Sequence, residues 1–522
     1  MRSKVTVVLL FLNVVLFAYI YFYDNPHIEQ MHTLTAVRRV FGPEAATITS
    51  FSRTSRTGET VKLEKGTDSW WLTAPYRWPA SPNAVSSLLN AIELLEHDTS
   101  YAVADLGKAG RSLADYGLAD PALSFEFTSG EHKYVVKIGD VTAVANRLYL
   151  LSPDGTRIHV VNRSFAEAIG LPLDTLRAPS IFSVPVFEVR SLNVQTLNTQ
   201  TTPPTSLKVR LRRDAASKWA FEAPINARAS KTSVEVTINA VANLLTAHNF
   251  VEPRDADLER AGLNSPGLQI TLEGNARRET LLLGNPTGAT VPREGAKEPD
   301  VEYYAKIEDN PVVFTTAFPK DLLKVLRTAQ ESLRDPRVLD LDPATVTSLT
   351  LVAPGQPEIT LQKLEGDQGW QAVVRVSGAA PQTTPADPAV VATLLQKISQ
   401  LSAHEPRPDA PKFLSDAPSD ADVENWGFKR PAREITLNLA PGAGGGLTRE
   451  PTSVTLQIGV SPDKPGEAFA RTTNAPFVYQ VLPDILDDAP VAARYYRHRT
   501  LRELPEAARI TTIKLTALPA GT

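Results

Sequence analysis

Apolar and polar positions alternate along most of the chain, and three times the alternation gives way to a helical period. In Thr60–Ala74 the apolar residues Val61, Leu63 and Trp71 stand among polar ones, the pattern of a half-buried strand. Val85, Leu88, Leu89, Ile92 and Leu95 then recur at helical spacing. Val234, Ile238, Val241 and Leu245 do the same, as do Val390, Leu394, Ile398 and Leu401. The spacing predicts helices over Pro82–His97, Lys231–His248 and Pro388–His404, with Ser81, Ser230 and Asp387 as N-caps. After the first helix, Leu123–Thr128 and Tyr134–Ile138 flank Gly130. Leu148–Leu151 and Ile158–Val161 flank Asp154-Gly155. Such short polar connections predict antiparallel hairpins.

These patterns repeat. Gly42-Pro43-Glu44-Ala45-Ala46-Thr47-Ile48-Thr49 returns as Leu504-Pro505-Glu506-Ala507-Ala508-Arg509-Ile510-Thr511, enough distance for three units of about 154 residues. Ordered landmarks mark each unit. A tryptophan strand carries Trp71, Trp219 or Trp370, and a helix ends near His97, His248 or His404. A knuckle follows at Tyr116-Gly117-Leu118, Ala261-Gly262-Leu263 or Trp426-Gly427-Phe428. A strand then ends at Gly139, Gly284 or Gly459, and a later strand carries Tyr149, Tyr304 or Phe469. A period this long means tandem domains with separate cores. The expected fold class is α+β, an N-terminal transmembrane helix followed by three tandem repeats of antiparallel sheet plus helices. The expected boundaries are 1–24 (anchor), 25–183, 184–337 and 338–500 (repeats) and 501–522, a closing strand and tail that completes the third sheet.

The anchor is read from Val5–Tyr23, an uncharged run preceded by Arg2 and Lys4 and ending in Tyr21-Phe22-Tyr23. Nineteen helical residues reach roughly 28 Å, the thickness of a bilayer core. The run exceeds a signal-peptide core, and its aromatic end suits a membrane interface. The positive residues ahead of it place the N-terminus in the cytoplasm. The expected location is the inner (cytoplasmic) membrane, single-pass, with the bulk of the chain periplasmic or extracytoplasmic.

Composition narrows the chemistry. With no cysteine in 522 residues, disulfide scaffolds, thiolate metal sites and cysteine nucleophiles are excluded. A net charge of −4 disfavours nucleic acid as a partner. His97, His248 and His404 are read as cations suited to helix C-termini. The clusters Asp255, Asp257, Glu259 and Asp416, Asp420, Asp422, Glu424 are read as solvated loop charges, although paired carboxylates are also what a glycosidase needs. Ser461-Pro462-Asp463-Lys464 fits the Ser-x-x-Lys of penicillin-recognising enzymes but lacks its companion motifs and falls in a turn. Gly442–Gly446 is read as a linker. Trp71, Trp219 and Trp370 are read as core anchors, with Trp70 and Trp78 as the better candidates for exposed stacking platforms. No catalytic, cofactor-binding or metal-binding residue is assigned, and no cofactor is expected.

With these landmarks in hand, the chain resembles a bacterial family catalogued as a domain of unknown function. Its members carry one N-terminal span and repeated domains with a Trp-x-Leu…Pro strand and a Leu-x-x-Leu helix. Trp70-Trp71-Leu72-Thr73-Ala74-Pro75 and Trp219-Ala220-Phe221-Glu222-Ala223-Pro224 match, whereas Trp370-Gln371-Ala372-Val373-Val374 lacks the proline. Family members are often encoded beside genes resembling the gliding-motility type of ABC transporter. The resemblance implies a non-enzymatic accessory subunit of an ABC-transporter-like envelope complex, bound to a partner protein. The alternative is an envelope glycan- or ligand-binding protein, possibly a hydrolase.

Overall fold

The computed structural model describes residues 38–498, apart from 68, 144–145, 199–202, 252–256, 368, 406–412 and 441–452. It also describes residues 12, 15–17, 19 and 509–514. Most of the expected anchor, together with Asp255 and Gly442–Gly446, therefore lies outside the described residues. Leu12, Val15, Leu16, Phe17 and Tyr19 are helical and exposed. Among the described residues no helix is long and apolar enough to cross a membrane.

Three antiparallel sheets of eight or nine strands succeed one another along the chain. The first contains β1 (Ile48–Ser55), β2 (Thr60–Lys65), β3 (Trp70–Ala74), β4 (Trp78–Pro79), β5 (His97–Ala102), β6 (Leu123–Ser129), β7 (His132–Val141), β8 (Arg147–Leu151) and β9 (Arg157–Asn162). Its order is β4-β3-β2-β1-β6-β7-β8-β9-β5. Two meanders thus share one sheet, and the hairpins β6–β7 and β8–β9 are those expected around Gly130 and Asp154-Gly155. The main helix Pro82–Glu93 bridges the meanders and buries Val85, Leu88 and Ile92.

The other repeats follow the same plan. The second has β10 (Ser191–Asn198), β11 (Thr205–Arg213), β12 (Trp219–Ala223), β13 (His248–Val251), β14 (Leu268–Glu273), β15 (Arg278–Val291), β16 (Asp300–Ile307) and β17 (Val313–Phe318). The third has β18 (Val346–Val352), β19 (Glu358–Lys363), β20 (Trp370–Arg375), β21 (Gln382–Ala386), β22 (Phe413–Ser415), β23 (Arg433–Leu439), β24 (Ser453–Val460), β25 (Ala468–Thr472) and β26 (Val478–Val481). Its order is β21-β20-β19-β18-β23-β24-β25-β26-β22. By compactness the chain divides into two units, Met1–Asp214 with Glu235–Arg327, and Ala215–Val234 with Thr328–Thr522.

Several expectations need correction. The main helices end at Glu93, Asn243 and Gln400, four residues or so before the histidines. His97 and His248 instead begin the edge strands β5 and β13, so a helix-terminal charge interaction does not explain them. Periodicity misled because Leu95, Leu245 and Leu401 stay buried after the helix has stopped. Asp387 and Ser230 do cap their helices, through Ala389 N–H at 3.0 Å and Ser233 N–H at 3.3 Å, but the Ser81 side chain does not. Each opening strand lies inside its own sheet, β1 between β2 and β6 and β18 between β19 and β23. Of the expected closing strand and tail only 509–514 is described, as exposed chain, and the rest of 501–522 lies outside the described residues.

The repeated glycines have a common cause. A Cβ on Gly139, Gly284 or Gly459 would sit 2.0–2.1 Å from the carbonyl oxygen of Tyr116, Ala261 or Trp426. The knuckle therefore presses its backbone directly onto the strand, and only glycine leaves room. Around this contact lie small apolar clusters: Tyr116, Leu118 and Ile158 in the first repeat, Ala261, Leu263 and Val313 in the second, and Phe428, Phe469 and Val478 in the third.

Candidate functional site

Where one repeat leads into the next, the chain turns on an arginine. In unit 1 the exit peptide of the first repeat bonds to both repeats. Arg177 bridges to Ala80, Ser81 N–H donates to Leu176 O and Ala178 N–H donates to Pro79 O. A few residues on, Ser180 bridges to Thr246, and Ala247 N–H donates to Pro179 O.

Between these anchors the Arg177 side chain, only 7% exposed, is enclosed by aromatic rings. Its guanidinium lies 3.7 Å from the Phe250 centroid, donates to the Tyr76 hydroxyl and pairs with Asp174. Phe250 stacks on Tyr76 at 6.0 Å and meets Trp78 edge-on at 5.0 Å, and Phe314 meets Trp78 at 5.4 Å. Removal from water pushes the guanidinium pKa down, and Tyr76 opposes that shift. Its Nε has no hydrogen-bond partner among the described residues. Beside it opens a cavity of about 570 Å³ lined by Ser81, Asp174, Arg177, His248, Asn249 and Phe250.

Unit 2 repeats the device. Arg334 bridges to Ala229, Ser230 N–H donates to Leu333 O, and Arg337 bridges to Ser402. The Arg334 side chain, 3% exposed, lies 4.2 Å from Phe413, 4.3 Å from Phe477 and 5.5 Å from Tyr479, and pairs with Asp416. A desolvated cation over ring faces gains roughly 2 kcal/mol per good contact. Arginine suits the role because its flat, weakly hydrated cation can stack and form an ion pair together.

Strand register identifies the cage positions. His159, Phe314 and Tyr479 are equivalent, facing Leu150, Ala305 and Ala470 just after the aromatic landmark of each repeat. Opposite His159 stands Ser100, and opposite Tyr479 stands Phe413. The first repeat therefore has Ser100 and His159 where the others have aromatic rings. There His159 packs at 5.0 Å on His97, and burial, then the charge of His97 and Arg157, pushes its pKa down to about 4.

Among the described residues no shared site gathers the sequence candidates. His248 hydrogen-bonds Thr246 at 2.8 Å, and His404 is exposed. Asp257 and Glu259 are exposed, and Asp257 accepts from Arg260 N–H. Asp416 holds Arg334, Asp422 caps its own helix at Ser419, Glu424 pairs with Lys429, and Asp420 is exposed. Lys464 pairs with Glu467 in the turn after Ser461. Trp78 is corrected from stacking platform to core: it is fully buried and donates to Ala178 O at 2.9 Å. The repeat register also equates Trp219 with Trp70 rather than Trp71, since Ala80 and Ala229 N–H donate to Trp70 O and Trp219 O. The clasp arginines went unnoticed in the sequence, where the available signal was Arg177-Ala178-Pro179 against Arg334-Asp335-Pro336.

No curated protein matches the chain. Among solved structures, the isotype 1 transferrin binding protein B of serogroup B Neisseria meningitidis aligns at 8% identity, over 81% of this chain and 64% of that one. Its TM-score of 0.06 carries no argument about fold. A family profile matches twice, over residues 70–244 and 219–411. Each match begins at the tryptophan strand of one repeat and runs past its clasp arginine into the next repeat. The chain belongs to the family described as Domain of unknown function (DUF4340).

Proposed function

We propose that the protein is a membrane-anchored, extracytoplasmic accessory protein, a non-enzymatic binding or scaffold subunit of an ABC-transporter-like envelope complex. The apolar run Val5–Tyr23 with Arg2 and Lys4 ahead of it supports a single span with the repeats outside the cytoplasm. The observation that carries the reading is the twice-used arginine clasp: the same sheet module recurs, and the buried chemistry between modules serves to hold protein surfaces together. The test is co-purification of the tagged full-length chain from its native membranes in mild detergent. Recovery of transporter subunits in stoichiometric amounts is expected, and reproducible recovery of none removes the proposal.

The cavity beside Arg177 favours a second reading, an envelope glycan- or small-ligand-binding protein, because it joins an aromatic ring to charged and amide groups. Among the described residues, Asp257 and Glu259 are exposed and do not line it. A calorimetric screen of cell-wall sugars against the protein and its Phe250→Ala variant tests it. Absence of any binding that depends on Phe250 rejects it.

A further inference from the structure

We infer that Arg497 is the third clasp arginine, and that it docks into an aromatic cage supplied by a partner protein. The inference rests on the partner-binding reading and names the surface involved. In backbone terms Arg497 is held as its counterparts are. It bridges to Ala386 as Arg177 does to Ala80 and Arg334 to Ala229. Asp387 N–H donates to Tyr496 O at 2.7 Å, as Ser81 and Ser230 donate to Leu176 O and Leu333 O. Tyr496 is buried at the place of Leu176 and Leu333. What differs is the side chain: Arg177 and Arg334 are enclosed by rings, whereas Arg497 is exposed, as are its neighbours Arg494, Tyr495 and His498.

A second observation lies beyond it. Ile510-Thr511-Thr512-Ile513 repeats Ile48-Thr49-Ser50-Phe51 of β1. Ile48 and Phe51 are core residues there, but Ile510 is 67% and Ile513 74% exposed. The features that elsewhere open a repeat and lock it to the preceding one are thus each exposed to solvent. An exposed cation and an apolar strand pattern, both in the order that the core uses, constitute a docking element.

The chemistry of the two filled cages specifies the receiving surface. It has two facing aromatic residues at the edge of an antiparallel sheet, as in Phe413 and Tyr479, and a nearby carboxylate, as in Asp416. A second copy of this chain does not fit. Its first repeat offers Ser100 and His159, and its other two cages are filled by Arg177 and Arg334. The occupant is a different polypeptide with an open aromatic-edged sheet.

The test places a photo-crosslinking amino acid at position 498 of the full-length, membrane-anchored chain and irradiates intact cells. One discrete adduct is expected, mapped by mass spectrometry to a strand of the partner bearing Phe or Tyr. Arg497→Ala should reduce its yield about tenfold or more, and Arg497→Lys should restore part of it. Thermal unfolding of Arg497→Ala should match the parent, because the side chain is exposed. No adduct, an adduct within this chain, or a yield in Arg497→Ala within about twofold of the parent overturns the inference. Co-purification of transporter subunits by Arg497→Ala at parental yield would leave the scaffold reading standing while sinking this one. Co-purification of no partner by the parent chain sinks both.

Discussion

The Arg334 clasp offers a quantitative test of how the repeats are held. Arg334→Ala removes a cation lying 4.2 and 4.3 Å from two rings and leaves Asp416 without its buried partner. Breaking a buried ion pair from one side costs roughly 3–5 kcal/mol. Asp416 keeps about a third of its side chain in water, so it is partly rehydrated after the loss and the lower end applies. We expect about 3 kcal/mol. Arg334→Met keeps an unbranched stem in the cage but leaves the carboxylate with only Gln330 and water, and should cost about 1–2 kcal/mol. Arg334→Met with Asp416→Asn removes the uncompensated charge as well and should lie within about 1 kcal/mol of the parent. Urea unfolding, followed by tryptophan fluorescence and by hydrogen exchange at the Ser230 and Asp335 amides, reads this directly. Both amides donate to carbonyls across the clasp, to Leu333 O and Arg228 O. The reasoning is refuted if Arg334→Ala costs under about 0.5 kcal/mol, or if the double variant is no more stable than Arg334→Met.

Three further expectations follow from the repeats. Gly284→Ala forces a Cβ against the Ala261 carbonyl and should cost about 3 kcal/mol in denaturant titrations, while Gly267→Ala, with nothing within 4 Å, should cost close to none. His159 is neutral in the folded chain, its pKa at about 4 lying below the unfolded value near 6.5. Its stabilising contribution is complete above about pH 6.5 and is lost as pH falls toward 4, by up to about 3 kcal/mol. His159→Phe should flatten that part of the stability–pH curve, and an unchanged slope would reject the assignment. Trp78→Phe loses the bond to Ala178 O and part of the aromatic cluster, and should lower stability by about 2 kcal/mol, measured by calorimetry.

Local pattern carried much of the fold. The alternation around Val61 and Leu63, the turn residues Gly130 and Asp154-Gly155, and the three helical stripes each describe neighbours along the chain. Hairpins and amphipathic helices follow from such neighbours directly. The recurrence of Gly139, Gly284 and Gly459 was equally visible, but its cause was not. A carbonyl pressed onto a strand some 20 residues or more later leaves no trace in either local pattern. The helix ends were misplaced because a buried leucine follows each helix, and burial continues the periodicity after the backbone has changed.

The sequence by itself determined that a sheet-and-helix module occurs three times and that no thiol chemistry is available. Only the tertiary structure decided that His97 and His248 start edge strands, that Trp78 is core, and that Arg177 and Arg334 are the residues on which successive repeats close. The physical reason is that a cation becomes a buried clasp only when rings from separate strands surround it. Arg497 shows the converse, since the same residue at the same backbone position remains exposed, with no ring stacked on it among the described residues.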